Sequence, residues 1–380
     1  MGISRQDATA LIHRMADAAN AHDIPALMDL YAEDAVVISP ALSRITGRAA
    51  IGAAWDLMLS TFPDWKVCPD EVLVDGDRII ALGVNTATDR QGWFGLAPTG
   101  GMIKYRAVLL ITIAEGKIVQ EERIYDVNSV LQLLEKARID RELTTAAEVQ
   151  RVLLSRTARI GPHYQAMGDS LPCRTIGGDF FEFIELPSRA LGIALGDVAG
   201  KGPPAALLAA MLQGMITAEA RAAQAPSFLM SSLNRPLVER GLGSQFATLV
   251  YGVLFPDGRF SYCNGGHNPP FVVSGGQIRR LTTGGPIVGA FKDAAFDEET
   301  VRLNDQDLVI MFTDGVTEAC NPEGEEFGEE RLTAAVSSCA SLPVPEFVAA
   351  ILAAVSRFCQ HAQQTDDITL TAVRFSRSSR

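Results

Sequence analysis

The sequence has no basic run longer than two residues, and its formal charge is −12. Those two features exclude nonspecific nucleic-acid binding, which needs a clustered basic face. It also lacks any stretch of about 18 apolar residues free of charge, so no membrane-spanning helix and no membrane partner are expected. The opening residues, MGISRQDATA, lack the apolar core of a secretory signal, and the expected location is the cytoplasm. The six cysteines, Cys68, Cys173, Cys263, Cys320, Cys339 and Cys359, are scattered with no CxxC pair. That suits reduced core thiols rather than disulfides or a zinc site. Neither an internal repeat nor a low-complexity segment is present.

A more specific absence lies in Ala194 to Ala206, ALGDVAGKGPPAA, whose Gly-Lys-Gly invites comparison with a nucleotide phosphate loop. A Walker loop needs four residues between its glycines and a Ser or Thr after its Lys. Here three residues separate Gly196 from Gly200, and Gly202 follows Lys201. Asp197 also stands where the anion would sit, and a carboxylate repels phosphate unless a cation lies between them.

What is there is a chain of 380 residues, 47% hydrophobic and 21% charged, long enough for two soluble globular domains. In residues 1–127, Ala8, Leu11, Met15 and Ala18 recur at helical spacing, DIPALMDLYAEDA reads as a second helix and GRAAIGAAWDLMLSTF as a third. After Pro63 the texture turns to long β-branched runs, with hairpin turns expected at Asp75-Gly76 and Glu115-Gly116. Helices followed by a meander predict an α+β domain with its sheet curled over the helices. Residues 128–160 read as a helical linker. Its stripe Ile139, Leu143, Ala146, Val149 and Leu153 would be exposed on a single helix, so pairing with a second copy, a homodimer, is expected; packing on its own domain is the alternative. Residues 161–376 mix strands (RALGIALGD, QFATLVYGVLF, GRFSYCN, QDLVIMFTD, DITLTAVRF) with Ala-rich helices, one starting at Pro203-Pro204.

The chemistry of this second half is an Asp at the end of an apolar strand beside Gly or Thr. It recurs in Gly177-Gly178-Asp179, Gly196-Asp197, Thr313-Asp314-Gly315 and Thr365-Asp366-Asp367. Any one of these reads as a turn. Four carboxylates that converge repel, and the usual remedy is a divalent cation. Oxygen donors without His or Cys point to Mg2+ or Mn2+. Four such charges balance two ions, the composition of a two-metal hydrolytic centre.

The motifs IGGDFFEF, LGDVAGKG, GGHNPP, FTDGVTE and TDDIT, in this order over about Ala147 to Phe375, resemble the bacterial metal-dependent (PPM-type) serine/threonine phosphatases of the sporulation stage II protein E and sigma-regulatory branch. The resemblance implies an α/β/β/α sandwich with two metals at one end. Asp197 would bridge them with the Val198 carbonyl as an added ligand, Asp314 and Asp366 would complete the shells, and Asp179 would bind directly or through water. Asp367 is the alternative if the register of the last pair is shifted. Glu182 stands where the family usually has Asp. His267 is a candidate general acid or, equally, a loop-ordering residue. Arg174 is a candidate phosphate holder or an ordinary surface arginine. The implied substrate is a phosphorylated STAS-domain anti-anti-sigma factor.

The first part, through ITGRAAIGAAWDLMLSTFPDW, VDGDRIIALG and APTGGMIKYRAVLLITIAEGKIVQEERIYD, resembles the SnoaL-like, nuclear transport factor 2-like domains. These form a cone with a pocket, for which Asp126, Arg123, Tyr105, Trp93 and Trp55 are the candidate lining residues. The expectation is a sensor phosphatase whose N-terminal domain, with a possible small-molecule ligand, acts through the linker on residues 203–222. The alternatives are an idle scaffold that only binds its partner, or an N-terminal isomerase or cyclase.

Overall fold

The computed structural model describes residues 2–93, 95–153, 158–187, 189–222, 225–241 and 245–377. The chain divides into two units, Met1–Glu142 and Leu143–Arg380.

The first unit runs α1 (Arg5–Asn20), α2 (Ile24–Met28), β1 (Tyr31–Ser39), β2 (Ser43–Thr46), α3 (Arg48–Thr61), β3 (Lys66–Asp75), β4 (Arg78–Thr88), β5 (Met102–Ala114) and β6 (Lys117–Ile124). Ser4 caps α1 by accepting from the Asp7 amide at 3.1 Å, satisfying a donor that the first helical turn leaves free. The sheet order is β2-β1-β6-β5-β4-β3, with β1 and β6 parallel. Both expected hairpin turns are present. At the second, Glu115 (φ 51°) and Gly116 (φ 75°) take the left-handed conformations that match the twist of paired strands. One expectation fails: DIPALMDLYAEDA is not one helix. After the short α2 the chain turns into β1, where Tyr31, Ala35, Val37 and Ser39 are buried. The β-branched run that follows pairs with β2 and β6, and this tertiary pairing overrides the local helical spacing.

Helix α4 (Val127–Leu153) covers most of the stretch read as a helical linker. Residues 154–157 lie outside the described residues, and Arg159–Gly161 form a strand, β7, paired with β8.

The second unit continues with β8 (Tyr164–Leu171), β9 (Phe180–Glu185), β10 (Leu191–Val198), α5 (Pro203–Ala220), α6 (Pro226–Glu239), β11 (Ala247–Leu254), β12 (Arg259–Gly265), β13 (Phe271–Ser274), β14 (Gln277–Arg280), β15 (Gly284–Gly285), β16 (Glu299–Arg302), β17 (Leu308–Phe312), α7 (Asp314–Thr317), α8 (Gly328–Cys339), α9 (Val344–Cys359) and β18 (Ile368–Phe375). One sheet has the order β15-β12-β11-β10-β9 with β16 on β12; the other has β14-β13-β17-β18-β8-β7. Phe181, Leu195, Val250, Val309 and Val373 meet between the sheets. Helices α5 and α6 cover the outer face of the first sheet, and α8 and α9 cover that of the second. The expected α/β/β/α sandwich is what forms. Strands buried on both faces read as continuous apolar runs rather than alternations, which is why β10 and β18 were legible as strands only by their length and flanking residues. Among the described residues no helix is long and apolar enough to cross a membrane.

Candidate metal centre and ligand cavity

Strand periodicity decides where the carboxylates go. Side chains two apart share a face. On β10, Leu191, Ile193 and Leu195 point between the sheets, so Asp197 continues that row at the strand end. On β9, Phe181 and Phe183 do the same, and Asp179 precedes them in phase. Val309 and Met311 of β17 extend to Thr313, and Val373 of β18 traces back to Thr369. Four polar side chains in inter-sheet phase therefore converge at one end of the sandwich.

There Asp179 is buried, and one of its oxygens accepts from Thr313 Oγ1 at 2.7 Å and Thr369 Oγ1 at 2.6 Å. Burial, then the charge of Asp197, pushes its carboxyl well above the usual range. Burial, then Asp314 and Asp366, pushes Asp197 up to about 6. Asp314, the first residue of α7, is raised by burial and then by Asp366. These shifts share a cause: carboxylates brought together out of water disfavour one another's charge.

The motif glycines exist because of close approach. A methyl group on Gly178 would lie 2.9 Å from the Val198 carbonyl and 3.6 Å from Asp197 Oδ1; one on Gly177 would lie 2.2 Å from Asp367 Oδ2, and one on Gly315 would lie 1.9 Å from the Asp367 carbonyl. Asp179, Asp197 and Asp314 gather oxygen donors whose mutual repulsion is only partly offset by Lys201 on Asp366, and the Cys173 thiol lies with the Asp366 and Asp367 carboxylates within 4.8 Å of one another. The carboxylates fit hard divalent cations.

The last pair of carboxylates divides its labour. Asp367 is buried, and both its oxygens accept backbone amides, from Cys173 at 2.8 Å and from Gly178 at 2.7 Å. It braces the Gly177-Gly178-Asp179 turn. Asp366 is partly exposed and pairs with Lys201 at 2.9 Å, and Lys201 also donates to the Thr365 carbonyl at 2.5 Å. Glycines at φ +103° (Gly200) and φ +79° (Gly202), conformations that side chains resist, flank this lysine. Sequence reasoning assigned Lys201 no role and overlooked Thr313 and Thr369, although all three sit inside the quoted motifs. Phase relative to the apolar strand residues would have found the threonines. Arg174 is exposed, with no ion pair among the described residues.

His267 has both ring nitrogens engaged inside the protein. Nε2 lies 3.1 Å from the Phe312 carbonyl and Nδ1 lies 2.7 Å from Thr248 Oγ1. A carbonyl only accepts, so Nε2 carries the proton and Nδ1 accepts from the threonine. That leaves no ring proton for a leaving group, and of the two roles read from sequence the loop-ordering one matches the geometry. Burial lowers its pKa to about 4. The unfolded chain, with an ordinary value near 6.5, binds the extra proton between about pH 6.5 and 4, so stability falls as pH drops through that window. The loss over the whole window amounts to roughly 3 kcal/mol. His267→Gln keeps one donor and one acceptor but cannot titrate. Its melting temperature is expected to fall less than that of the wild type between pH 7 and pH 5; equal falls would remove His267 as the cause.

The first unit encloses a cavity of about 420 Å³, within the range of pockets that hold drug-sized ligands. Four of the five residues proposed from sequence line it: Trp55, Trp93, Tyr105 and Arg123. Asp126 does not. It is exposed and caps α4, accepting from the Asn128 amide at 3.0 Å and from Ser129 Oγ at 2.5 Å; a short acidic side chain just before a helix satisfies its free amides. The charged group that sequence reasoning missed is Glu121, fully buried on β6. It accepts from Tyr31 Oη and, at 2.5 Å, from Arg123 Nε. The Arg123 guanidinium also lies 4.6 Å from the Trp55 ring centre. Burial would pull Arg123 down, but Glu121 and Tyr31 beside it hold it above its ordinary value. The Trp65 indole N–H, also on the cavity wall, has no acceptor among the described residues.

A sandwich of this topology with an acidic end defines a class, the PP2C-type phosphatase domain. The second unit resembles the SiaA-PP2C domain of Pseudomonas aeruginosa, with a TM-score of 0.56 at 21% identity over 64% of this chain and 99% of that one. It also resembles the RsbU and RsbW domains of Rv1364c from Mycobacterium tuberculosis, with a TM-score of 0.52 at 25% identity over 59% of this chain and 62% of that one. The Stage II sporulation protein E (SpoIIE) family model matches residues 187–376, and the chain belongs to that family. A SnoaL-like domain model matches residues 12–121. Phosphoserine phosphatase RsbU of Bacillus subtilis is 28% identical over 242 residues, 62% of this chain and 70% of RsbU. Protein IcfG of Synechocystis is 27% identical over 231 residues, 53% of this chain but only 36% of IcfG.

Proposed function

We propose that the chain is a metal-dependent phosphatase that hydrolyses phosphoserine or phosphothreonine on a regulatory protein. The observation that carries the reading is the convergence of Asp179, Asp197, Asp314 and Asp366 on one sandwich end without enough cationic charge to balance them. Asp197, Asp314, Asp366 and the Val198 carbonyl would hold two divalent ions, Mn2+ or Mg2+, with Asp179 contributing directly or through water. When bound, the ions supply the charge that activates water and neutralises the phosphoryl group. The chain's own part is to hold these oxygens in place. Thr313 and Thr369 orient Asp179, Asp367 ties down the glycine turn, and Arg174, which is exposed, would be free to meet an incoming phosphate. His267 is left out of the proton transfers because its ring proton is already bonded.

The partner that fits the sigma-regulatory relatives is a phosphorylated STAS-domain anti-anti-sigma factor, and the N-terminal unit is read as its regulator. A cavity whose one buried acid among the described lining residues, Glu121, is already paired with Arg123 and Tyr31 favours holding an uncharged small molecule over turning one over, since among the described residues no free carboxylate faces it. Ile139, Val149, Val152 and Leu153 are exposed on α4, which supports a dimer formed through that helix. The test is phosphate release from a phosphorylated STAS-domain protein at controlled Mn2+, with the full chain and with one lacking residues 1–127. No Mn2+-dependent release overturns the phosphatase reading. Equal release from both chains overturns the regulatory one.

Lys201 gives this metal reading a direct check. Its ammonium already neutralises Asp366, so a metal ion must displace it. Lys201→Met is expected to bind Mn2+ several-fold more tightly in calorimetry. It should lose no more than about 1 kcal/mol of metal-free stability, because the pair is more than a third exposed. Unchanged or weaker Mn2+ binding would show that the lysine does not compete.

A further inference from the structure

The cavity of the first unit is lined by every tryptophan of the chain: the sequence has three, and Trp55, Trp65 and Trp93 all stand on its wall. The aromatic rings there form a continuous surface. Phe62 meets Trp93 edge-on at 5.3 Å and Trp65 at 5.8 Å, Trp65 meets Tyr105 at 6.2 Å, and Tyr105 meets Tyr125 at 5.0 Å between ring centres. Such a wall suits a flat apolar body. Two groups on it are hydrogen-bond donors that their neighbours do not satisfy. Trp65 is 3% exposed, and its indole N–H has no acceptor among the described residues. An indole nitrogen can only donate, and a buried donor without an acceptor is costly. The Trp55 N–H differs, since it faces the Tyr31 hydroxyl although short of hydrogen-bond geometry. The second open donor is the Arg123 guanidinium. Glu121 takes its Nε, and among the described residues its terminal nitrogens have no hydrogen-bond partner. Tyr105 adjoins both donors, with its ring against Trp65 and its hydroxyl within reach of the Arg123 charge. Both Glu121 oxygens are engaged, one by Tyr31 and one by Arg123. The buried charges on this wall therefore already cancel, and a charged ligand would bring in one that nothing balances.

We infer that this cavity takes a neutral, flat and largely apolar carbonyl compound, such as a conjugated ketone or lactone, whose oxygen accepts from the Trp65 indole N–H. This rests on reading the N-terminal unit as one that holds its ligand, and adds to that reading the atom the ligand must carry. A hydrocarbon of the same shape would cover the same rings and leave the Trp65 N–H unpaired. A carboxylate would be drawn to Arg123 but repelled by Glu121 behind it. A protonated amine would meet a guanidinium on one side of Tyr105 and an N–H on the other, and neither can accept its protons. A carbonyl oxygen has no proton of its own to place, so it satisfies the indole without creating a new unpaired donor. A tricyclic ketone is small enough for a cavity of about 420 Å³.

The probes are 9-fluorenone, fluorene, which has the same rings without the oxygen, and the charged counterparts fluorene-9-carboxylate and 9-aminofluorene. In equilibrium dialysis against the full chain, fluorenone is expected to bind about 10-fold more tightly than fluorene, and both charged probes more weakly than fluorenone. The indole region of a proton–nitrogen correlation spectrum reports on the cavity alone, because all the tryptophans of the chain line it. Fluorenone should move the Trp65 Nε1–H resonance downfield, and fluorene should not. In Trp65→Phe, which keeps a ring and removes the donor, the preference for ketone over hydrocarbon is expected to shrink to about 2-fold or less, with fluorene affinity much less altered. If that variant fails to fold, the wild-type resonance decides alone. Equal binding of fluorenone and fluorene, or a Trp65 resonance unmoved at saturation, would overturn the inference and leave intact the reading of a cavity that holds a ligand. A ketone preference that survives in folded Trp65→Phe would overturn it too. Fluorenone bound with the expected preference but recovered chemically changed would support the acceptor assignment and overturn the reading of holding without turnover. Binding of none of the four probes would sink both.

Discussion

Asp197→Asn is expected to lower phosphate release by at least about 10²-fold while raising the melting temperature of the metal-free protein. The two effects have one origin. Asp197 stands in inter-sheet phase at the end of β10, where burial and the charges of Asp314 and Asp366 already disfavour its ionised form. An amide keeps the shape and removes the repulsion, so the sandwich end relaxes; each kcal/mol gained raises the melting temperature by about 2–4 °C in a domain of this size. The same change removes the charge that would hold two cations together. Thermal scans in chelator and in Mn2+ check both halves: wild type should gain stability from Mn2+ and the variant should gain little. A variant that melts lower than wild type in chelator and still releases phosphate would defeat the assignment of Asp197. A trade of stability for function at one residue is the general pattern of sites that gather like charges.

Gly315→Ala is the second large effect. The added methyl would sit 1.9 Å from the Asp367 carbonyl and 3.5 Å from Asp366 Cβ, against backbone that cannot yield as a flexible side chain would. The chain must move at the start of α7 or at the start of β18, and either movement displaces Asp314 or Asp366. A loss of about 1–3 kcal/mol is expected from overpacking, with phosphate release falling well beyond what the lost stability explains. Gly214, inside α5 with open space around its would-be methyl, is the matched control. Gly214→Ala should leave activity unchanged and stabilise the protein by about 0.5–1 kcal/mol, as expected for a helix interior. Equal activity in the two variants, measured at a temperature where both are folded, would show that close packing at Gly315 has no bearing on the centre.

Much of this was legible before any coordinates. The motif carboxylates stand at the ends of apolar runs, and a run buried on both faces has a definite parity. Asp197 after Leu195 and Asp179 before Phe181 were therefore bound to face the same way once the sheets stacked. The cavity aromatics Trp55, Trp93 and Tyr105 were legible too, through the resemblance of the first part to domains that form a cone around a pocket. Misreadings arose where local spacing and long-range pairing disagree. YAEDA has helical spacing but belongs to strand β1, whose Tyr31 and Val36–Ile38 pair with β6 and whose Val36–Ser39 pair with β2. Asp126 has the chemistry of a pocket acid and the position of a helix cap.

The sequence by itself determined the two-part organisation and the sandwich, because these follow from residue type and short-range period. Only the tertiary structure decided which of two adjacent aspartates braces the turn and which faces Lys201, that His267 has no proton to give, and that Glu121 is the buried acid of the cavity. Each of these depends on a partner far away in the chain. Asp179 and Thr369, likewise, are 190 residues apart. A hydrogen bond over such a separation is set by how layers stack, and no local pattern of residue types records it.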